Sequence, residues 1–378
     1  MTKGTIRLRR IDVLRGVAIL SVFLLHWYGA AFGTDHLRWN GLVRDFASAP
    51  NAAFWCFYPL SYGWMGVSLF FVISGFCIHA STLQTGNLHA GKFLWRRFWR
   101  ICPPYFAWLA FFFRRDGLSL ATGEGRTQLL SHLLLIYNFN STTIFAISAA
   151  FWSLAVEAQL YLLYPLLWRI RSRWTMSGAL YVTLGLSLLS RLVAALFLTD
   201  WREDLAGNVW TFPTMLWFDW TLGAVVAEGF LSGRRVFSRS VVLRVTAFVA
   251  VAVSLLFKPT EALTFSLSSF AIALQVESYL WSESRERVIE RLLVPLGLCS
   301  YSFYLLHYPF VGELLQEIPL ARGWQEPWHS VAVLPVMFSV LFLASYVSYR
   351  VLERGSIYLG RVIWPSLGKS GLGSHAAP

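Results

Sequence analysis

Three titratable side chains stand inside long apolar stretches of the sequence: His26, Glu157 and His307. An ionisable group in an apolar environment is destabilising unless it is paired or hydrated, so each is a candidate for a functional role. An imidazole can take the proton from a hydroxyl group or carry an acyl group, and a carboxylate can orient it. His26 and Glu157 are therefore the stronger candidates for a functional role, and His307, followed by Tyr308 and Pro309 at an expected kink, is a weaker one. Polar contacts between helices and a proton relay are the alternatives that these residue types leave open.

Arg15 lies 11 residues before His26. On an α-helix this spacing returns to within about 20° of the same face and separates the two residues by about 16 Å. Arg15 is therefore predicted near the cytoplasmic end of a membrane-spanning helix, with His26 in its outer half. The same helical rise puts His26 and Glu157 about 10 Å, and His307 about 14 Å, below the outer surface. We expect these three titratable groups to meet there.

A second candidate site contains two arginines three residues apart, Arg97 and Arg100, in the segment KFLWRRFWRICPPY. Residues at this spacing are neighbours on a helix, and guanidinium groups suit phosphate. The Tyr105 ring of the same segment could stack on a base or anchor the helix at the interface. A basic end of a membrane span, with its usual aromatic belt, would give the same pattern. Pro103 and Pro104 are predicted to break this helix.

Ser74 and Gly75 form a small pair within the run VSLFFVISGFCI. Such a pair permits either the close approach of two helices or the passage of a thin chain. His79 and His132 are interpreted as ordinary residues near the ends of segments. The remaining ionisable residues of the apolar stretches are more typical of buried pairs or span ends, namely Arg191, Asp219 and Glu228.

The elements that must position these residues are membrane-spanning helices, because 56% of the 378 residues are hydrophobic and only 14% are charged. This composition excludes disorder and makes a soluble domain improbable. A span needs roughly 20 apolar residues. The sequence predicts an all-α membrane protein with about ten spans, at 11–32, 61–82, 99–113, 150–169, 177–198, 209–231, 241–257, 262–281, 293–316 and 331–351. The apolar run 128–138 is shorter and suits an interfacial or re-entrant segment.

The net charge of +12 is explained by the distribution of basic residues between these spans. One side of the predicted topology holds 22 of the 32 Lys and Arg residues, the other side holds 8, and two lie within spans. The positive-inside rule then places both termini in the cytoplasm. The charge therefore orients the chain in a membrane, and no basic soluble module indicates a nucleic-acid partner.

The rest of the chain offers few further candidates for catalytic or metal-binding residues. The four cysteines have no metal-binding spacing, so no metal site is expected. Cys77 and Cys102 fall toward the predicted cytoplasmic side, so no structural disulfide is expected. Residues 1–364 are predicted to form a single membrane domain, followed by a disordered tail at 365–378. Trp and Tyr residues in the outer segments 36–64 and 201–220 would either stack on sugar rings or form an interfacial belt.

Five motifs in order resemble those of the acyltransferase 3 family, the bacterial multi-pass membrane O-acyltransferases. The resemblance runs from about Arg10 to Glu353. The motifs are IDVLRGVAILSVFLLH with Arg15 and His26, FFVISGF with Ser74, RRFWRICPPY with Arg97 and Arg100, WSLAVEAQLYLLYP with Trp152, Ser153, Glu157 and Tyr161, and YSFYLLHYP with His307. One departure follows Glu353, where relatives commonly have a Pro two residues later and this chain has Arg354 and Gly355.

The resemblance implies transfer of an acyl group, with acetyl expected, from cytoplasmic acyl-CoA to a carbohydrate or lipid-linked glycan at the outer face of a bacterial inner membrane. It implies that Arg15, His26, Arg97, Arg100 and Glu157 are needed for activity. On this resemblance His26 and Glu157 are predicted to be catalytic, with His307 in a supporting role. The pantetheine arm would pass Arg15 and Ser74, and Trp152, Ser153 and Tyr161 would support the site. A small-molecule acceptor such as a macrolide is an alternative within the family, and a proton-coupled transporter is the alternative outside it.

Overall fold

The computed structural model describes residues 3–33, 52–197, 207–237, 240–256, 260–283, 287–318 and 328–364. All regular secondary structure in these ranges is helical. The α-helices are α1 (Lys3–Phe32), α2 (Ala52–Phe57), α3 (Met65–Thr85), α4 (Ala90–Arg115), α5 (Gly123–Leu133), α6 (Trp152–Phe197), α7 (Gly207–Trp210), α8 (Pro213–Leu231), α9 (Val241–Leu256), α10 (Glu261–Leu280), α11 (Val288–Leu298), α12 (Ser300–Glu317), α13 (Trp328–Ser348) and α14 (Arg354–Ile363). Two 3-10 helices, Tyr58–Trp64 and Tyr137–Phe139, and a π-helical turn, Tyr349–Glu353, join some of them.

Within the described ranges, four continuous helical stretches are long and apolar enough to cross a membrane. They are Arg9–Phe32, Ala53–Thr85, Trp152–Ala194 and Trp328–Ile363. The pair formed by α11 and α12 also passes when taken together, although it is bent by 79°. The all-helical, membrane-type architecture is therefore confirmed, while the number of ten spans and the side of the termini stay predictions.

One predicted span differs in shape from the expected rod, and a break separates two others. α6 contains a break at Thr175, whose φ of 72° and ψ of 170° are not helical, and this break falls between the predicted spans 150–169 and 177–198. The predicted span 293–316 instead begins inside α11 and continues through the bend into α12. Hydropathy alone does not reveal such a bend, because both arms are apolar.

The prediction that Pro103 and Pro104 break their helix is wrong, since α4 continues through both. A proline in a helix leaves the carbonyl four residues earlier without its usual donor. For Pro103 that carbonyl belongs to Trp99, and the Ser356 hydroxyl donates a hydrogen bond to it at 2.7 Å. A side chain more than 250 residues away along the chain thus replaces the missing backbone donor.

The chain divides into two compact units, each built from two separate stretches of sequence. Unit 1 comprises residues 1–74 and 232–347, and unit 2 comprises 75–231 and 348–378. In unit 1, α1 packs against α11, α12 and the 3-10 helix Tyr58–Trp64, and α9 packs against α10. In unit 2, α6 packs against α8, and α14 packs against α4. The single domain over residues 1–364 stays a prediction, and the predicted tail at 365–378 lies outside the described residues.

Gly75 makes the close packing in unit 2 possible. A Cβ atom at this position would overlap the backbone oxygen of Trp220 on α8. Of the two interpretations of the small pair at 74–75, the close approach of two helices therefore accounts for Gly75. Ser74 is half-buried and belongs to unit 1.

Candidate functional site

Unit 1 brings His26 of α1 and His307 of α12 into direct contact. His26 Nδ1 lies 3.0 Å from His307 Nε2, and the ring centroids are 5.0 Å apart. His307 is fully buried, whereas His26 is half-buried. The ring of Tyr308 meets His26 edge-on at 4.8 Å. Two of the three titratable groups expected to meet therefore do so, although they are 281 residues apart in sequence.

The hydrogen bonds assign the proton positions of this pair. His307 Nδ1 lies 2.8 Å from the Tyr304 carbonyl oxygen and 3.2 Å from that of Phe303. A carbonyl only accepts, so His307 Nδ1 carries the proton and, in a neutral ring, its Nε2 is an acceptor. His26 Nδ1 must then donate to it. The lone pair of neutral His26 is consequently on Nε2.

Arg15 lies on the same helix as His26 and forms an ion pair within it. Its Nη1 is 3.3 Å from Asp12 Oδ1, and both side chains are about one-fifth exposed. Asp12 was not among the residues predicted from the sequence. The i, i+3 spacing of the two residues was the signal that would have identified it.

Unit 2 gathers Glu157, Tyr161 and Arg97. The Tyr161 hydroxyl donates a 2.5 Å hydrogen bond to Glu157 Oε1. The Arg97 guanidinium carbon stands 5.7 Å from the centroid of the Tyr161 ring and 5.6 Å from that of Phe93. Two aromatic faces therefore hold this cation. The Glu157 carboxylate and the Arg100 guanidinium are both close enough to interact electrostatically with Arg97.

Arg97 retains hydrogen-bonding capacity. Its Nε is buried and makes no hydrogen bond to any residue in the described ranges. A buried donor without a partner is destabilising, so this atom is an unsatisfied polar group of the cluster. The predicted neighbourhood of Arg97 and Arg100 is thus present, with the aromatic residues of both α4 and α6 around it.

The other predicted supporting residues lie in or beside this part of unit 2. Trp152 and Ser153 occupy the first turn of α6 and are half-buried. Tyr105 is fully buried, and its hydroxyl donates to the carbonyl oxygen of His132 at 3.2 Å. This hydrogen bond connects α4 to α5, and a role of Tyr105 in binding the acyl donor stays a prediction.

His132 is more strongly engaged than an ordinary end-of-segment residue. It stacks on Tyr137 with centroids 4.1 Å apart and planes 5° from parallel. Its Nδ1 donates to the Gln128 carbonyl oxygen at 2.7 Å. Burial lowers the pKa of His132 to about 4, against the smaller opposing effect of that hydrogen bond. The ring is therefore neutral near pH 7.

A further charged cluster in unit 2 was missed by the sequence analysis. His79 is fully buried and bonds Glu228 Oε1 through Nε2 and the Tyr164 hydroxyl through Nδ1, each at 3.1 Å. Arg171 Nε donates to the same Glu228 oxygen at 2.6 Å. The partners are 57 to 149 residues apart, so no local spacing indicated them.

Arg191 and Asp219 form the kind of buried pair that the sequence predicted. Both are buried, and they interact electrostatically. Arg191 Nη2 also donates to the Met215 carbonyl oxygen at 2.8 Å. This interaction joins α6 to α8 and is structural.

The structure describes several of the Trp and Tyr residues in the predicted outer segments 36–64 and 201–220. Trp64 and Trp217 are buried and so cannot stack on a sugar ring. In unit 1, Trp55, Tyr58 and Tyr62 form a row with centroids 5.6 and 5.7 Å apart, and Trp55 is exposed. Positions 34–51 and 198–206, which include Trp39 and Trp201, lie outside the described residues.

Groups of three or more His, Cys, Asp or Glu residues that could hold a metal ion do not occur in the described part of the chain.

Comparison with known proteins gives a family match over nearly the whole chain. The model of a family described as an acyltransferase domain matches residues 8–350. Acyltransferase MdmB of Streptomyces mycarofaciens is 24% identical over 385 aligned residues, covering 93% of this chain and 92% of that protein. Nodulation protein 10 of Rhizobium leguminosarum bv. viciae is 28% identical over 195 residues, covering 46% of this chain and 48% of that protein. No solved structure matches the chain.

Proposed function

The chain belongs to this acyltransferase family, and from that membership we propose that it moves an acyl group, acetyl in the first instance, from cytoplasmic acyl-CoA to a carbohydrate hydroxyl at the outer face of a bacterial inner membrane. The family match over residues 8–350 carries the reaction class. The donor, the acceptor and the direction across the membrane are the proposed parts. The geometry of each unit supports a separate portion of this reaction.

The donor part of the proposal concerns Arg97 and Arg100. The pyrophosphate and 3′-phosphate of acyl-CoA are anions for which neighbouring guanidinium groups are suited. Arg97 is held between Phe93 and Tyr161 and has a buried Nε without a partner among the described residues. A ligand that satisfies this donor would gain a charge-assisted hydrogen bond. Arg15 and Ser74 are proposed to line the path of the pantetheine arm.

The chemical part of the proposal concerns His26. With its lone pair on Nε2, His26 is ready to take the proton from an acceptor hydroxyl. The hydroxyl oxygen then forms a bond to the thioester carbonyl carbon, and the carbon–sulfur bond breaks. The proton passes from His26 to the departing CoA thiolate, so the imidazole ends neutral. His307 supports this step by accepting from His26 Nδ1 at 3.0 Å, and attack by His26 itself to give a transient acyl-imidazole is the alternative order.

We propose that the negative charge of the Glu157 carboxylate offsets the positive charge that the imidazole gains during the reaction. This carboxylate accepts from Tyr161 and interacts electrostatically with Arg97. The expectation that Glu157 also orients His26 stays a prediction. The proton-relay alternative draws on the same residue types, but family membership favours acyl transfer over transport.

The acceptor is proposed to be a carbohydrate, and a macrolide-like small molecule is the alternative within the family. Neither relative's name states an acceptor. The supporting observation is the aromatic row Trp55, Tyr58 and Tyr62, because aromatic faces stack on sugar rings. The chain segment that carries this row packs on α1 directly beyond His26, where the Trp27 and Phe57 rings are 5.5 Å apart, as are those of Tyr28 and Phe54.

Two measurements test the proposal. The purified protein should release free thiol from acetyl-CoA at a rate that rises on addition of the acceptor. Surface glycans of a strain lacking the gene should lose acetyl groups, by mass spectrometry, that the parent strain carries. Thiol release with unchanged glycans would contradict the carbohydrate acceptor. The lack of thiol release from any acyl-CoA would contradict the donor.

A further inference from the structure

The final helix of the described chain, α14, has three distinct faces. Ser356 and Gly360 are buried against the rest of unit 2. Next to this packed face lies an exposed apolar one formed by Tyr358, Leu359, Val362 and Ile363, each at least half exposed. Arg354 and Arg361 are seven residues apart, which is about two turns, and so share the remaining edge. A helix with an apolar face bordered by arginines is typical of a segment that lies in the membrane interface.

The length of the last helical stretch supports this placement. Trp328–Ile363 covers 36 residues, which corresponds to about 54 Å of helix, whereas the hydrocarbon core is about 30 Å thick. α13 alone, with 21 residues, spans that thickness. The residues beyond that length begin with the π-helical turn Tyr349–Glu353, where Arg350 and Arg354 begin the basic segment.

α14 is fastened to the basic half of α4 by specific contacts. Trp95 Nε1 donates to the Gly360 carbonyl oxygen at 3.0 Å, and the Trp95 and Trp364 ring centroids are 5.6 Å apart. Gly360 is in contact with the Trp99 side chain so closely that a Cβ atom would overlap it. This packing brings Arg361 of α14 near Arg96 of α4. Both are exposed, and after burial the charge of Arg361 is the second cause of the lowered pKa of Arg96.

We propose that α14 and the Arg96–Arg361 pair form a docking surface for the anionic phospholipids of the cytoplasmic leaflet. Two guanidinium groups that repel each other are stabilised by a phosphate group that neutralises both. The apolar face of α14 would lie among the upper acyl chains, and Trp95 and Trp364 are of the type enriched at the headgroup level. The predicted cytoplasmic location of this basic segment agrees with the leaflet to which polybasic segments bind. This lipid site is independent of the acyl-transfer reaction.

Lipid retention by the full-length protein tests this proposal. The detergent-solubilised protein is titrated with phosphatidylglycerol or phosphatidylcholine of identical acyl chains, and bound lipid is counted by native mass spectrometry. The wild type should prefer phosphatidylglycerol, and Arg96→Gln combined with Arg361→Gln should weaken phosphatidylglycerol binding by about 10- to 30-fold. The matched control is Arg169→Gln combined with Arg173→Gln, which removes two exposed basic residues from the same predicted side and should leave the preference unchanged.

Three results would overturn the proposal. One is a full phosphatidylglycerol preference in the Arg96→Gln, Arg361→Gln variant. Another is displacement of phosphatidylglycerol by millimolar inorganic phosphate, which would identify the pair as a site for free anions. The third is a change in the proportion of dimers in the same spectra without a change in lipid retention, which would identify the face as a contact between two copies of the chain. All variants are compared by size-exclusion profile, so that a folding defect is recognised.

Discussion

His26 Nδ1 donates a hydrogen bond to His307 Nε2 across 3.0 Å, and His307 Nδ1 is in turn bonded to the backbone of its own helix. This chain of bonds fixes which nitrogen of each ring carries the proton. It leaves Nε2 of His26 as the basic atom. In the proposed reaction His307 is thus a positioning residue that acts through His26.

Replacement of His307 tests this relationship. His307→Ala removes the acceptor for His26 Nδ1, so His26 loses its fixed tautomer, and we expect kcat to fall by about 10- to 100-fold with little change in the KM for acyl-CoA. His307→Gln supplies an amide oxygen in place of Nε2 and should restore part of the rate. Steady-state thiol release measures both variants. A wild-type kcat in His307→Ala would show that the bond has no catalytic role.

The hydroxyl of Tyr161 provides a second test. Tyr161→Phe keeps the ring that faces Arg97 but removes the 2.5 Å hydrogen bond to Glu157. Hydrogen bonds to a charged group are among the stronger ones, so we expect activity to fall by about 10-fold while acyl-CoA affinity is retained. Calorimetric titration with acyl-CoA and a rate assay separate these two quantities. Equal activity in both proteins would exclude a role of this hydroxyl at Glu157.

Gly75 should be intolerant of any side chain. A Cβ atom there overlaps the Trp220 backbone oxygen, and backbone atoms cannot move aside without displacing α8. Gly75→Ala should destabilise the protein by about 1–3 kcal/mol, observed as a lower melting temperature in detergent. Gly185→Ala in α6 is the control, because a Cβ atom there meets nothing within 4 Å. It should be neutral or stabilising by up to about 1 kcal/mol, and a similar loss in both variants would contradict the packing argument.

Buried neutral His132 should make the protein less stable as the pH falls. Its pKa is about 4 in the folded protein and 6.5 in the unfolded chain. Between these pH values the unfolded chain binds more protons, so the contribution of His132 to stability is retained above pH 6.5 and declines by at most about 1.4 kcal/mol per pH unit down to pH 4. Melting temperatures between pH 7 and 4 measure this decline.

His132→Phe keeps the stack on Tyr137 and should show a shallower decline with acid than the wild type. The control is His89→Gln, since His89 is exposed before the first turn of α4, and its decline should match that of the wild type. If His132→Phe and the wild type lose stability in parallel, another group is responsible for the acid sensitivity.

Local spacing predicted part of this structure, and contacts between distant residues account for the rest. The placement of Arg15 and His26 on one helix, and of Arg97 beside Arg100, followed from helical periodicity. The contact of His26 with His307 followed from their similar predicted depth. The continuity of α4 through Pro103 could not be predicted, because the compensating donor Ser356 comes from the other end of the sequence.

The cluster of His79, Arg171 and Glu228 likewise could not be predicted from local spacing. His79 was interpreted as an ordinary residue and Glu228 as half of a buried pair or a span-end residue, and only the packing of α3, α6 and α8 brings them together with Arg171. Glu157 illustrates the complementary case. Its hydrogen-bond partner Tyr161 is one helical turn away in the same motif, which is why that motif was informative, whereas Arg97 comes from α4.

The central claim is that His26 is the base for acyl transfer, and the rate of the purified His26→Ala protein tests it most directly. Transfer of radiolabelled acetyl from acetyl-CoA to the acceptor is compared with that of the wild type and of Val17→Ala, a control on an exposed position of α1. We expect a loss of about 10²- to 10⁴-fold in His26→Ala, with unchanged expression, membrane insertion and melting temperature, and no loss in Val17→Ala. Transfer by His26→Ala at a rate near that of the wild type would contradict this claim.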